Sequence, residues 1–167
     1  MLALGKDGRG YLLDQNDFGG IGGSLSAETV SRQPIRTAPA VYELGAHLYV
    51  AVQAAGAHCP SEASGNLLTV LKIRADERPG FSTAWCGRLS GAGSPIVTTS
   101  DGHADPIVWM VGAEGDNRLH GFRGDTGEPI LDRPGPAMNG LHHFQTLIAT
   151  RDHLYVGADG RVYAFTF

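Results

Sequence analysis

Val111-Gly112-Ala113-Glu114-Gly115-Asp116-Asn117-Arg118-Leu119-His120-Gly121-Phe122 aligns with Val156-Gly157-Ala158-Asp159-Gly160-Arg161-Val162-Tyr163-Ala164-Phe165 once two turn residues are removed. The offset is 45 residues before the turn, from Gly112 to Gly157, and 43 after it, from Phe122 to Phe165. Two shorter echoes accompany it. His47-Leu48-Tyr49-Val50 matches His153-Leu154-Tyr155-Val156, and Asp7-Gly8-Arg9-Gly10-Tyr11 matches Asp159-Gly160-Arg161-Val162-Tyr163. A repeat of about 40–50 residues signals a stacked supersecondary unit rather than one irregular domain.

The unit is a β-meander. Short β-branched and aromatic runs are punctuated by Gly, Asp and Asn, the pattern of hairpins rather than of strand–helix–strand units. Leu2 to Lys6 and Gly10 to Asp14 flank Asp7-Gly8, a pair that tolerates the positive φ of a tight turn. Ala38 to Glu43 and His47 to Gln53 flank Leu44-Gly45-Ala46, and Pro95 to Thr99 and Ile107 to Ala113 flank Asp101-Gly102. Leu67 to Ile73, Thr83 to Arg88, Arg118 to Arg123, Pro129 to Asp132, Thr146 to Thr150, His153 to Ala158 and Arg161 to Phe167 complete the strands, with Ser26 to Ser31 as a weaker one. Grouped in fours, they predict an all-β chain of four-stranded antiparallel β-propeller blades, about four in number: 1–31 (incomplete), 38–88, 95–132 and 146–167 (incomplete). Incomplete ends expose strand edges, so the expected partner is another chain or upstream blades that complete the ring, four blades being half of a 7–8-bladed propeller. Tyr11, Val50, Val70, Trp85, Val108, Trp109, Tyr155 and Phe165 are expected between blades.

Composition agrees with many turns and excludes several partners. Glycine is 24 of 167 residues, about twice the average of roughly 7%. The longest stretch without Gly or Pro, Leu141 to Val156, still contains Arg151-Asp152, which leaves little room for helices. Thirteen basic and seventeen acidic residues are scattered without blocks, giving a formal net charge of −4 and no footprint for nucleic acid or an anionic membrane surface. No apolar run approaches the roughly 20 residues of a membrane span, and Met1-Leu2-Ala3-Leu4 is too short for a signal-peptide core. Cys59 and Cys86 lie in no metal or redox motif; they read first as two unpaired, half-buried thiols, with a disulfide as the alternative.

Gly121-Phe122-Arg123-Gly124-Asp125-Thr126-Gly127-Glu128-Pro129-Ile130-Leu131 resembles the PQQ-like repeat of quinoprotein-type propellers, in which a strand ending Ala-x-Asp precedes a Thr-Gly turn and a strand carrying Trp. Thr126-Gly127 falls in register. Gly121 stands for the Ala, Arg123 for the Asp and Leu131 for the Trp, so the family's tryptophan docking between blades is not expected here. Gly5 to Asp14 resembles the family's commonest hairpin, and Asp17-Phe18-Gly19-Gly20-Ile21-Gly22-Gly23 is similar to loops of bacterial extracytoplasmic members, which implies a periplasmic or secreted location. Propellers host unrelated functions on one scaffold, so the resemblance speaks to fold more than to activity.

Spacing limits what the candidate sites permit. Asp101, His103 and Asp105 place two carboxylates and an imidazole within five residues but fit no standard metal loop, and a solvated hairpin turn accounts for them. Asp7, Asp101 and Asp159 read as turn residues. His142 and His143 fall where the chain passes into a new blade, at the mouth of the central channel; neighbours in extended chain point apart, so the pair is not expected to ligate one metal. Glu43, Glu62, Asn66 and Asn139 follow no arrangement for PQQ and calcium. Gly91-Ala92-Gly93-Ser94 lacks the order of a nucleophile elbow, and Gly19 to Gly23 lacks the Lys-Ser/Thr of a phosphate loop. The reading that follows is a non-catalytic module, a scaffold or binding surface for a protein or small molecule at its loop face, with no cofactor. The alternative is the C-terminal part of a PQQ-dependent alcohol or sugar dehydrogenase with calcium; a third reading is a hydrolase or lyase working through His142 or His143.

Overall fold

A computed structural model describes residues 1–59, 66–131, 135–145 and 147–166. Among them there is no α-helix, and the strands form four antiparallel sheets. The first holds β1 (Leu2–Leu4), β2 (Arg9–Leu12) and β3 (Ser26–Thr29). The second holds β4 (Ala40–Leu44), β5 (His47–Gln53), β6 (Asn66–Arg74) and β7 (Gly80–Arg88). The third holds β8 (Ile96–Thr98), β9 (Ile107–Val111) and β10 (Leu119–Arg123), and the fourth β11 (Leu147–Ala149), β12 (His153–Ala158) and β13 (Arg161–Thr166). Strands are neighbours in sequence order within every sheet.

The second and third sheets pack on a neighbour on each side because their middle strands are apolar on both faces, and alternate side chains point opposite ways. On β5, Val50 and Val52 join Leu12 and Val30 in a core between the first and second sheets, whereas Tyr49 and Ala51 turn to the other side. There they meet Val70, Trp85, Val108 and Phe122 in a core between the second and third. On β9, Val108 and Met110 face that core, and Trp109 and Val111 face a third one, completed by Leu154 and Val156 of the fourth sheet. The described residues therefore form three cores in series, one at each junction of consecutive sheets.

The repeat that signals this architecture is slipped by one residue at its centre. Val111, aligned with Val156 in sequence, points forward into the third core, while Val156 points back into the same core. Register explains it: Val111 pairs with Leu119 on β10, but Val156 pairs with Tyr163 on β13. A one-residue shift moves a side chain to the other face, so the structural equivalents on the second strands are Met110 and Val156.

Three further expectations are corrected. Pro129 to Asp132 forms no fourth strand in the third sheet over its described residues; Pro129 makes one isolated bridge to Phe122, consistent with a residue that has no N–H to donate, and Asp132 lies outside the described residues. Tyr11 and Tyr155 are only partly buried, because they lie on the outward faces of the first and fourth sheets, which have a neighbouring sheet on one side only. Cys59 and Cys86 are not free thiols but a disulfide joining the β5–β6 connection to β7. Gly56 makes room for it: a Cβ there would collide with the Cys59 sulfur and sit 3.1 Å from that of Cys86.

A tryptophan does join two sheets, from a place the repeat motif did not indicate. Trp85 on β7 donates its indole N–H to the Gly124 carbonyl (2.9 Å), and the Tyr42 hydroxyl donates to the same oxygen (2.6 Å). Burial raises the Tyr42 phenol well above its ordinary range, so it remains a donor. Gly127, at φ +74°, lies flat against the indole; a Cβ on it would stand 2.6 Å from the ring. The Thr126-Gly127 turn of the third sheet is thus shaped to receive Trp85 of the second.

Candidate functional site

All three connections between sheets deliver residues to one cavity of about 680 Å³, a size typical of small-molecule sites. Arg36 and Thr37 come from the β3–β4 connection, Gly91 and Ala92 from β7–β8, and His143 and Phe144 from β10–β11. Lys6 and Glu114 lie just beyond the ends of β1 and β9, and Gln53 ends β5. The connections are held to one another by backbone. Gly93 bridges Gln145 in parallel, the Ser94 N–H donates to the Gln145 carbonyl (2.7 Å), and the Ala92 N–H donates to the Ala113 carbonyl (2.8 Å).

The wall from the third sheet carries the chemistry. His143 Nδ1 lies 2.9 Å from both Glu114 carboxylate oxygens, and His142 Nδ1 lies 3.6 Å from one of them. His142 Nε2 is also 2.9 Å from Asp159 Oδ2 in the β12–β13 turn. Sequence reasoning separated the two histidines because extended neighbours diverge, but the segment turns here. Phe144 takes φ +65°, unusual for a residue with a bulky side chain, and it packs edge-on to His143 at 4.5 Å between ring centres. The turn brings both imidazoles to one carboxylate. Of the two, His143 lines the cavity and His142 ties the third sheet's turn to the fourth's.

Two cationic side chains also line the cavity. Among the described residues, neither the Lys6 ammonium nor the Arg36 guanidinium has an ion-pair or hydrogen-bond partner. Beside them Thr37 is only 9% exposed, and its hydroxyl oxygen is buried without a hydrogen-bond partner, a situation that costs about 1–3 kcal/mol. None of Lys6, Arg36, Thr37 or Glu114 stood out in the sequence, since no short motif links residues contributed by separate sheets.

The remaining sequence candidates are placed elsewhere. Asp101 Oδ1 accepts the backbone N–H groups of His103 (2.9 Å) and Ala104 (2.6 Å), which holds its carboxyl below the usual range and ties it into the β8–β9 turn. Asp105 accepts from the Ser100 hydroxyl (3.3 Å) in the same turn. Asp7 likewise accepts the Arg9 N–H (3.1 Å). Glu43 lies on β4 and Asn139 in the β10–β11 connection, where its N–H donates to the Tyr163 hydroxyl (2.9 Å). Glu62 and the Asn66 side chain lie outside the described residues. Among the described residues no group of three His, Cys, Asp or Glu side chains is arranged to hold a metal, and the cavity offers one carboxylate, already engaged by His143. That donor set does not fit calcium, which takes six to eight oxygen ligands. Gly19, Gly20 and Gly22 adopt positive φ in the β2–β3 loop, which leads to a strand and so lacks the helix a phosphate loop requires. Among the described residues no helix is long and apolar enough to cross a membrane.

The histidine–carboxylate chain gives a pH signature. Its hydrogen bond to Asp159 raises the His142 pKa above the ordinary 6.5, so this contact contributes fully below the unfolded value and is lost as pH rises through the folded one. The His143 hydrogen bond lowers the Glu114 pKa below 4.5, so that contact contributes above the unfolded value and is lost as pH falls through the folded one. Both contacts are accordingly at full strength only between about pH 4.5 and 6.5. An NMR titration is expected to place the His142 midpoint above 6.5 and to return it toward that value in Asp159→Asn; an unmoved midpoint would show that Asp159 does not hold the imidazole.

No family model and no curated protein matches this chain.

Proposed function

We propose that this chain is a non-catalytic binding module, four consecutive blades of a β-propeller whose loop-face cavity receives a small molecule. The observation that supports it best is the delivery of residues from every inter-sheet connection to one cavity, with a core at each junction. Sheets stacked in series about a common axis would do this, because each connection must pass near that axis on its way to the next blade. The outward face of the fourth sheet supports the expected partner: Ile148 and Val162 are 66% and 68% exposed there, and another chain or further blades would cover them. The disulfide supports an extracytoplasmic location, where such bonds persist.

The test combines binding with turnover. Backbone NMR spectra of the full chain, recorded against a library of small metabolites, are expected to shift at Lys6, Thr37 and Glu114 for at least one class of compound. Protein incubated with PQQ and calcium is expected to show no quinone absorbance and no dye reduction with alcohols or sugars. Dye reduction would replace this reading with the redox enzyme, and a library that moves no cavity resonance would remove the binding reading.

A further inference from the structure

We infer that the cavity binds an acidic saccharide, with the uronate carboxylate between Lys6 and Arg36 and a face of the sugar ring against Phe144. The inference rests on reading the cavity as a binding site, and it adds the class of ligand. Charge favours a monoanion. Apart from the His143 imidazole, which is engaged with Glu114, the lining supplies two positive charges from Lys6 and Arg36 and one negative from Glu114, a single positive excess that one carboxylate balances and a phosphate dianion over-compensates.

The remaining walls favour hydroxyl groups and a ring. The Gln53 amide both donates and accepts, and the Glu114 carboxylate accepts, which together suit the alternating hydroxyls of a sugar better than a simple fatty acid. Phe144 is 57% exposed at the cavity although it is held at φ +65°. A large apolar ring kept both exposed and strained is more expensive than a glycine at the same place, and such strain concentrates at ligand sites. An exposed aromatic ring lining a polar cavity suits stacking on the C–H face of a pyranose, whose edge carries the hydroxyls. The volume accommodates more than one sugar unit, so both free uronic acid and the end of a uronate chain are candidate sources.

Calorimetry and NMR on the full chain would use galacturonate, its trimer, galactose and inorganic phosphate as probes. Galacturonate is expected to bind and to shift Lys6, Thr37 and Glu114 resonances, and galactose to bind at least tenfold more weakly. The trimer is expected to bind more tightly than the monomer if chain ends are the source, and equally if the free acid is. The K6M/R36M double variant should weaken galacturonate at least tenfold, while Arg161→Met, a change of exposed cation on β13, should not. Phe144→Gly, which relaxes the backbone, should weaken galacturonate and melt no lower than the parent. Galactose or phosphate binding as tightly as galacturonate would overturn the inference, as would unchanged affinity in K6M/R36M with parental melting. If other compounds move the cavity resonances and uronates do not, the ligand class is wrong and the binding module stands; if nothing does, the module reading itself fails.

Discussion

Trp85→Ala is expected to lower the unfolding free energy by about 3–5 kcal/mol, the usual cost of emptying a buried tryptophan site. The indole is 5% exposed, lies 6.0 Å from the Phe122 ring and donates to the Gly124 carbonyl of the next sheet. Its loss opens a cavity in the middle core and removes the surface against which the Thr126-Gly127 turn rests. Trp85→Phe keeps most of the packing and forfeits the hydrogen bond, so its expected cost is nearer to about 1 kcal/mol plus the volume difference. Gly127→Ala attacks the same contact from the other side, through its positive φ and a methyl group driven into the ring. Urea denaturation followed by tryptophan fluorescence, with Trp109 reporting in the Trp85 variants, measures all three. A loss below about 1 kcal/mol for Trp85→Ala would mean that the indole is not buried between two sheets.

Removing the Cys59–Cys86 bridge, by reduction or by the double change Cys59→Ser and Cys86→Ser, is expected to cost about 2–4 kcal/mol, the range for a loop of this length. The two cysteines are 27 residues apart, and the bridge anchors a connection whose Ala57 N–H donates to the Val30 carbonyl (2.9 Å) of the neighbouring sheet. Loss of the bridge therefore loosens the junction of the first two sheets as well as the second sheet itself. Gly56→Ala should have the same sense of effect by crowding both sulfurs. Thiol titration is expected to find none in the unfolded, unreduced protein and two after reduction, and the urea midpoint should fall on reduction. Two titratable thiols before reduction would contradict the bridge.

Much of this fold was legible because hairpins advertise themselves locally. Asp7-Gly8, Leu44-Gly45-Ala46 and Asp101-Gly102 each mark a turn, and the apolar runs at β5, β6 and β9 identify strands buried on both faces. What the sequence concealed depends on register and on distance along the chain. The sequence repeat aligns Val111 with Val156, yet a single extra residue of pairing sends them to opposite faces of their sheets. Tyr11 and Tyr155 looked like core residues because aromatic strands usually are, and only the order of stacking leaves them on outward faces. The cysteine pairing could not be read because it depends on a loop folding back across two strands. The site was half visible: His142 and His143 drew notice as an unusual pair at a blade junction, whereas Lys6, Arg36, Thr37 and Glu114 became neighbours only when separate connections converged. Phe144 carried no signal, since a positive φ at phenylalanine is imposed by its surroundings and not by its own preference.

The most direct test of four sheets stacked in sequence is the set of proton–proton contacts across their junctions. Two-dimensional NMR on the intact, oxidised chain should show the Phe81 ring against the Gly10 α-protons, joining the first sheet to the second, and the Trp85 indole against the Gly127 α-protons, joining the second to the third, with both glycines shifted upfield by the rings. Glycine α-protons at ordinary shifts, with no cross-peak to either ring, would contradict the stack and every inference drawn from the cavity that its connections line.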